Sequence, residues 1–346
     1  MQQYSVGLVG YGLGGSVFHA PLIASVPGLR LARISSRSAN RDEVRRVYPG
    51  AVLDDAPQAM LDDPSIRLVV VCTPNASHYA LARDALLAGK HVVVDKPFVL
   101  SSAEGAELIQ LARERNLLLS VFQNRRWDGD FLTLRRSVAS GELGAVHTYR
   151  AHFDRYSPQV KARWKEEPQA GSGVLWDLGS HLIDQALVLL GTPRSVTAQL
   201  SVQRAGAQVE DSFELLLDYG TRKAVLHAGT QVCAPGPRYE VHGTLGSFVK
   251  YGVDTQEDAL KQGARPGDGG WGHDIPANHA TITTAAEGSH TVQTIPGCYE
   301  AYYLGVHAAI ASGQPVPVSA EGALNVVRVV ECAQRSHRER RTVDFV

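Results

Sequence analysis

Short, almost continuously apolar runs alternate with longer stretches rich in alanine and leucine over the first third of the chain. The apolar runs cover residues 6–9, 29–34, 51–53, 68–72, 91–95 and 117–122. The stretches between them, clearest at residues 16–25, 78–88 and 103–115, have the length and composition of helices. A strand that is apolar throughout is buried on both faces, and its alternation with helices is typical of a parallel sheet covered by helices. The pattern predicts a doubly wound α/β domain over residues 1–124.

The pattern changes after residue 124. An amphipathic helix is predicted over 127–141, and residues 195–203, 212–219, 223–230 and 239–242 alternate apolar and polar positions. Such alternation is typical of an antiparallel sheet with one wetter face. We also predict helices over 175–190, 299–311 and 320–334, a short strand over 342–346, and a long loop over the glycine- and proline-rich residues 252–288. Residues 125–346 are therefore expected to form a second, α+β domain.

Composition and charge exclude several classes of protein. The 346 residues are 44% hydrophobic and 20% charged, which permits a core of normal size, and the length favours two domains. A formal net charge of −1 gives no overall attraction to nucleic acid or to an anionic membrane surface. No uninterrupted apolar stretch approaches the ~18 residues of a membrane span, and no segment of signal-peptide form precedes the first strand.

The cysteines point to a reducing compartment. They are widely spaced and form no C-x-x-C pair, at Cys72, Cys233, Cys298 and Cys332. This spacing argues against both a structural zinc site and a disulfide framework. We therefore expect a cytoplasmic protein.

A glycine-rich turn follows the first predicted strand and opens the first predicted helix. It fits the pattern G-x-G-x-x-G, with Gly10, Tyr11, Gly12, Leu13, Gly14 and Gly15. In this context the first glycine permits the tight turn, the second lets the backbone approach a pyrophosphate, and the third lets helix and strand pack closely. The free N–H groups at the helix N-terminus then bind the anion. The turn predicts a dinucleotide site; the alternative is a glycine-rich turn that binds nothing.

The end of the second predicted strand bears on the choice of nucleotide. A carboxylate there would accept hydrogen bonds from a ribose 2′-OH, but the sequence has Ser35, Ser36, Arg37 and Ser38. Hydroxyls and a guanidinium offer donors to a 2′-phosphate, which a carboxylate would repel. Ser36 and Arg37 therefore favour NADP over NAD, unless Arg37 is simply a surface arginine.

Two further polar segments follow predicted strands. Thr73, Pro74 and Asn75 follow the fourth strand, and Asp95 and Lys96 end the fifth. Ligands of open α/β sheets bind outside the carboxyl ends of the strands, so both segments are candidate contacts. The alternative for Lys96 is a lysine that emerges into solvent.

The segment 171–184, GSGVLWDLGSHLID, holds a second group of candidates. Asp177 and His181 are spaced i, i+4 and share one face if the segment is helical. A metal site would need a third ligand that the spacing does not supply, so no metal is predicted. Oxidation of an alcohol needs a base for the hydroxyl proton, and histidine titrates near neutral pH. An acid–base role for His181 therefore suits hydride transfer, although such a histidine is by itself more often structural.

Four motifs in this order identify a resemblance over essentially the full chain. Residues 10–21 (GYGLGGSVFHAP), 71–78 (VCTPNASH), 94–97 (VDKP) and 171–184 are similar to motifs of the glucose–fructose oxidoreductase/inositol dehydrogenase (Gfo/Idh/MocA) family. The amino-acid sequence of these motifs most resembles that of the branch that contains NADP-dependent scyllo-inositol dehydrogenases. The resemblance implies an N-terminal Rossmann domain and a C-terminal α/β domain with a large, open, mostly antiparallel sheet. That sheet commonly serves as an oligomer interface in the family, so a homodimer or homotetramer is expected.

The resemblance also implies roles for individual residues. Lys96 corresponds to the lysine of the family's E-K-P motif, which contacts the nicotinamide ribose and the substrate. Asp177 and His181 correspond to the D-x-x-x-H motif, as the substrate-hydroxyl partner and the general acid/base. Asp95 stands where the family usually has glutamate. The cofactor contacts expected at the strand ends are Thr73, Pro74, Asn75, His78, Asp95, Lys96 and Gln123.

Together these features predict an NADP-dependent dehydrogenase that transfers a hydride between the nicotinamide and a ring hydroxyl or ketone of a cyclitol or sugar. Asp154, Arg155 and Tyr156 leave a predicted strand and are candidate substrate contacts, as is Arg163, while Trp164 is placed beside the cofactor. Each of these residues has a purely structural alternative. Two other functions stay open: a nucleotide-sensing protein without catalysis, and a dehydrogenase of an aldose, a nucleotide-sugar or a small imine.

Overall fold

The computed structural model of the chain describes residues 2–37 and 39–345. Strands β1 to β15 are Tyr4–Val9, Leu29–Ser35, Val52–Asp54, Ile66–Val71, His91–Asp95, Leu119–Phe122, Val146–His152, Ser195–Ser201, Ser212–Asp218, Lys223–Gly229, Tyr239–Gly243, Gly246–Lys250, Ala280–Thr284, Gly288–Val292 and Val343–Asp344. Helices α1 to α10 are Ala20–Ala24, Arg41–Val47, Gln58–Asp62, His78–Leu87, Ser102–Glu114, Gly129–Ala139, Ser180–Leu190, Gln256–Lys261, Glu300–Ser312 and Ala320–Glu339. π-helical turns precede α1 and α7, at Gly14–His19 and Leu175–Gly179.

The chain divides into two compact units. Unit 1 comprises Met1–Asn124, Gln256–Trp271 and Cys298–Leu324, and unit 2 comprises Arg125–Thr255, Gly272–Gly297 and Asn325–Val346. The division differs from a single boundary at residue 124, because two later segments join the first unit. Aromatic packing gives one physical reason. Tyr302 and Tyr303 of α9 are fully buried, and their ring centroids lie 5.0 and 5.8 Å from that of Phe122 in β6.

Unit 1 contains a six-stranded parallel sheet in the order β3-β2-β1-β4-β5-β6. Its central strands are aliphatic and buried, with Val70 and Val93 0% exposed. The predicted doubly wound α/β domain is therefore confirmed. The strand order reverses between β1 and β4, and ligands of such sheets bind beyond the carboxyl ends of the strands at this point. The glycine-rich turn follows β1.

Unit 2 is built on a nine-stranded sheet in the order β14-β13-β12-β11-β7-β10-β9-β8-β15. Only β7 and β10 pair in parallel among the described neighbours; the other pairs are antiparallel. β9 shows the expected alternation, with Phe213, Leu215 and Leu217 buried and Glu214 and Leu216 exposed. The prediction of a large, mostly antiparallel sheet is confirmed.

The predicted loop over residues 252–288 is wrong in part. This segment contains α8 and β13, and β14 begins at its last residue. In β13 only Ala280 and Ile282 are buried, and exposed or half-exposed threonines follow each of them, so the alternation covers just five residues. A pattern of five residues flanked by glycine, proline and aspartate is too short to stand out from a loop.

The longest helix is too polar for a membrane span. α10 is 20 residues long but carries charged residues along its length. Within the described part of the chain, no helix is both long enough and apolar enough to cross a membrane.

Candidate active site

The glycine-rich turn after β1 has the geometry of a dinucleotide cradle. Gly10 has a φ of +98°, and a Cβ there would lie 2.0 Å from the carbonyl oxygen of Cys72. A Cβ on Gly15 would lie 2.2 Å from the carbonyl oxygen of Gly10, so glycine is needed for close packing. At Gly12, by contrast, a Cβ would meet no atom within 4 Å, which leaves the backbone open to a ligand. These residues fit the pyrophosphate of a nicotinamide dinucleotide.

The other residues of the turn lie around this opening. Leu13 is 65% exposed, and Tyr11 is half-buried, with a pKa raised by burial and then by the charge of Glu43. Gly14 begins the π-helical turn, and a Cβ there would lie 2.5 Å from Sγ of Cys72. The side chains of Tyr11 and Leu13 stay candidate cofactor contacts.

The end of β2 lies beside the same turn. The N–H of Gly10 donates to the carbonyl oxygen of Ser35 at 2.9 Å. Ser36 is half-buried and Arg37 is exposed, whereas Ser38 lies outside the described residues. The predicted partner of a 2′-phosphate is therefore accessible to solvent.

Asp95 and Lys96 are half-buried at the carboxyl end of β5. Oδ1 of Asp95 accepts the backbone N–H of Lys96 at 2.8 Å. Its Oδ2 accepts a hydrogen bond from Sγ of Cys72 at 3.3 Å and lies 3.7 Å from Nε2 of His19. Burial would raise the pKa of Asp95, but the nearby imidazole of His19 and the charge of Lys96 hold it below its usual range. Asp95 is thus an anion that fixes the backbone at Lys96.

The loop after β4 carries Thr73, Pro74 and Asn75 and leads into α4. His78, at the start of α4, is fully buried, with Nδ1 2.8 Å from the carbonyl oxygen of Pro97 and Nε2 2.9 Å from that of Thr73. His78 therefore joins the loops that follow β4 and β5. Both of its ring nitrogens face backbone carbonyls, so the ring positions these two loops, and its predicted cofactor contact stays a prediction.

Gln123 follows β6 and is only 2% exposed. Its side-chain Oε1 has no hydrogen-bond partner among the described residues. A buried polar atom without a partner is costly, so a donor from a bound molecule would stabilise it. A carboxamide N–H of nicotinamide is a donor of this kind.

In unit 2, the segment 171–184 forms the π-helical turn and the first part of α7. Asp177 lies in the π-helical turn with its side chain 16% exposed, and His181 lies in α7 and is 4% exposed. π-helical turns are frequent at functional sites. Gly173 has a φ of +91°, and a Cβ there would lie 2.1 Å from Oε1 of Glu210. This glycine therefore allows the carboxyl group of Glu210 to pack against the turn that precedes Asp177.

A small cavity, partly open to solvent, brings predicted and unpredicted residues of unit 2 together. Asp177, Arg155 and Arg163 line it, as predicted candidates, and so do Lys165 and Glu210, which the sequence analysis missed. The one sequence signal for Lys165 is its place next to Trp164 before the glycine-rich segment, and Glu210 has none. His181 is not among the described residues that line this cavity.

The cavity is strongly charged. Nζ of Lys165 donates to Oδ1 of Asp177 at 2.6 Å and lies 5.7 Å from the ring centroid of half-buried Trp164. Burial lowers the pKa of Arg155, although the negative charge of Asp177 acts to raise it. Nε of Arg155 has no hydrogen-bond partner within the described chain. Burial also raises the pKa of Glu210 to about 7. The cavity therefore offers both donors and acceptors to a polar molecule.

Of residues 154–156, the structure brings only Arg155 to the cavity. Oδ1 of Asp154 accepts the N–H of Gly229 at 3.0 Å and lies 2.8 Å from Nδ1 of His227. The hydrogen bond that the carboxylate of Asp154 accepts from His227 raises the pKa of this histidine. Tyr156 is 59% exposed and does not line the cavity as far as the chain is described. Oδ1 of Asp154 is thus engaged with β10, and the substrate contact of Asp154 stays a prediction.

Comparisons with known proteins cover nearly the whole chain. Residues 4–123 match the oxidoreductase family NAD-binding Rossmann fold, and residues 135–345 match the oxidoreductase family C-terminal alpha/beta domain, both of Gfo/Idh/MocA. The scyllo-inositol 2-dehydrogenase (NADP(+)) of Bacillus subtilis (strain 168) is 43% identical over 98% of this chain and 95% of its own length. The uncharacterized oxidoreductase YdgJ of Escherichia coli (strain K12) is 44% identical, with 98% and 97% covered.

A solved structure shows the same similarity in three dimensions. That of yvaA from Bacillus subtilis is 42% identical to this chain and superimposes with a TM-score of 0.96, covering 100% of this chain and 99% of that chain. The comparisons confirm the resemblance that the motifs indicated and the prediction of an oxidoreductase. The chain belongs to the Gfo/Idh/MocA family of oxidoreductases.

Proposed function

We propose that this protein is an NADP-dependent dehydrogenase that interconverts a ring hydroxyl and the corresponding ketone of a scyllo-inositol-like cyclitol or a sugar. The observation that carries the proposal is 43% identity, over 98% of the chain, to a relative named scyllo-inositol 2-dehydrogenase (NADP(+)). In support, Lys96, Asp177 and His181 stand at the lysine, aspartate and histidine of the family motifs. In this proposal residues 1–124 supply most cofactor contacts, and residues 125–346 supply the substrate and oligomer contacts.

The glycine-rich turn would hold the pyrophosphate of NADP, and Arg37 would hold its 2′-phosphate. A guanidinium binds phosphate oxygens through charge-assisted, often paired hydrogen bonds. On the neighbouring strand β3, Asp54 is bound by Arg33 at 2.9 Å, so its negative charge is compensated. When bound, the nicotinamide supplies the hydride acceptor or donor.

The protein's own residues handle the proton and the charge on oxygen. His181 takes the hydroxyl proton when an alcohol is oxidised and returns it in the reverse direction. Lys96, as a cation, stabilises negative charge on the reacting oxygen. Asp177, held by Lys165, accepts a hydrogen bond from a hydroxyl of the ring and orients it. The charged cavity around Asp177 is consistent with a substrate rich in hydroxyl groups.

The test is a fluorescence titration with NADPH and with NADH, followed by assays with cyclitols, aldoses and their keto forms. We expect NADPH to bind about tenfold or more tightly than NADH, since a charge-assisted hydrogen bond is lost with NADH. Arg37→Ser should abolish this preference, whereas Arg46→Ser, at an exposed position of α2, should keep it. Equal binding of both nucleotides would refute the preference for NADP but would leave the proposed dehydrogenase activity standing. Tight NADPH binding without turnover of any polyol would favour the alternative of a nucleotide-sensing protein without catalysis.

A further inference from the structure

Three side chains of the kinds that bind transition metals converge beneath the glycine-rich turn of unit 1. Nε2 of His19, Sγ of Cys72 and Oδ2 of Asp95 all lie within 4.8 Å of one another. Sγ is 3.3 Å from Oδ2, and Nε2 is 3.7 Å from Oδ2. Tetrahedral bonds of about 2.0–2.3 Å separate neighbouring ligand atoms by about 3.3–3.8 Å, so small side-chain shifts would complete such a site.

The imidazole of His19 is held in place on one side only. His19 is fully buried, and its Nε2 has no hydrogen-bond partner in the described chain, since 3.7 Å to Asp95 exceeds hydrogen-bonding range. Its Nδ1 lies 2.5 Å from the hydroxyl oxygen of Tyr303, and its ring centroid lies 4.3 Å from that of Phe122. Leaving Nε2 unpaired is costly. Metal-binding histidines have this arrangement, with the second nitrogen fixed by an outer partner.

We propose that His19, Cys72 and Asp95 form a binding site for a borderline-soft divalent ion, with Zn²⁺ as the best match. One nitrogen, one sulfur and one oxygen suit Zn²⁺, whereas Mg²⁺ and Ca²⁺ prefer oxygen ligands alone. In the metal-free protein the thiol proton of Cys72 is directed at Asp95. When the metal binds, this proton is released to solvent and the metal occupies the position that the proton held. The thiolate and the carboxylate then balance the charge of the ion, and the fourth position takes water.

This site departs from the expectation that the chain holds no metal. That expectation rested on local spacing, but His19 and Cys72 come after β1 and β4, Asp95 ends β5, and the three meet only in the folded unit. The site shares Asp95 with the proposed cofactor contacts, but metal binding can be tested apart from the proposed dehydrogenase activity, because neither Asp177 nor His181 takes part in it.

The first experiment is a titration of the reduced, metal-free, full-length protein with Co²⁺, followed by displacement with Zn²⁺. We expect one ion per chain and a thiolate-to-cobalt charge-transfer band in the near ultraviolet. Cys72→Ser should lose the band, and Cys332→Ser, which removes another buried thiol, should keep it. His19→Gln should weaken Zn²⁺ binding by at least about tenfold, the effect of altering even an outer partner of a metal site. A missing band, or one that persists in Cys72→Ser, would overturn the proposal.

A second measurement avoids buried substitutions that could unfold the protein. X-ray absorption of the Zn²⁺-loaded, unaltered protein should show one sulfur at about 2.3 Å with nitrogen and oxygen at about 2.0–2.2 Å. A zinc environment without sulfur would overturn the proposal regardless of how the variants fold.

Discussion

The ammonium group of Lys165 lies 2.6 Å from Oδ1 of Asp177, and both residues line the cavity of unit 2. Their side chains are 34% and 16% exposed. An ion pair this accessible contributes little to stability, about 0–1 kcal/mol, because water screens it. It does fix the direction of one carboxylate oxygen. The pair therefore bears on where Asp177 points more than on whether the unit folds.

We predict that Lys165→Met lowers kcat/KM by about tenfold or more, because Asp177 loses the group that orients it. The free energy of unfolding should change by less than about 1 kcal/mol. Steady-state kinetics and urea unfolding measure the two effects. Lys161→Met removes an exposed lysine nearby and should leave both unchanged. An unaltered kcat/KM in Lys165→Met would show that the pair has no part in catalysis.

Removal of the proposed base should affect turnover and not nucleotide binding. We predict that His181→Ala lowers kcat by roughly 10²–10⁴, the contribution of a general acid or base. The affinity for NADPH, measured by fluorescence, should stay nearly the same. His147→Ala replaces an exposed histidine of β7 and serves as the control. The acid–base assignment fails if the folded variant turns over as fast as the unaltered protein.

The strands of unit 1 could be predicted because they are apolar throughout. The predicted strand over residues 91–95 coincides with β5, whose three central valines are fully buried. The inclusion of α9 in unit 1 could not be predicted, because it depends on long-range contacts of single aromatic residues. Tyr302, for example, packs on Phe122 and lies 2.9 Å from the hydroxyl of Ser120. The periodicity of apolar residues along the chain does not indicate a contact between two residues so far apart in sequence.

The same limit applies to the candidate site. The spacing of Asp177 and His181 could be recognised because a motif is a local pattern. Lys165 and Glu210 could not, because their approach to Asp177 and Gly173 exists only after the chain has folded. A sequence motif therefore identifies the residues of a reaction more readily than the residues that orient them.

The glycine-rich turn allows binding and folding to be separated. We predict that Gly12→Ala weakens NADPH binding by about tenfold or more, because the methyl group enters the space that a pyrophosphate needs. Stability should be nearly unchanged, since a Cβ at Gly12 meets no atom within 4 Å. Gly15→Ala should instead lower the melting temperature, because its Cβ would lie 2.2 Å from the carbonyl oxygen of Gly10. Gly50→Ala, also in open space, is the control for both measurements. Unchanged NADPH affinity in Gly12→Ala would place the pyrophosphate elsewhere.

Stability should depend on pH through Glu210. Burial raises the pKa of this carboxyl group to about 7, from an ordinary value of 4.5. Because the folded pKa is the higher one, folding takes up a proton between about pH 4.5 and about pH 7. The contribution of Glu210 to the free energy of unfolding is therefore greatest below this window. It falls as pH rises through the window and levels off above it.

Glu210→Gln removes this titration while keeping the size of the side chain. We predict that the variant gains stability relative to the unaltered protein as pH rises from about 5 to about 8, by an amount on the order of 1–3 kcal/mol. Urea unfolding at several pH values across this range gives the difference. Glu214→Gln, at an exposed position of β9, should show a difference that stays constant with pH. A constant difference for Glu210→Gln as well would mean that this carboxyl group titrates alike in the folded and unfolded chains, and that burial in the cavity does not hold its proton.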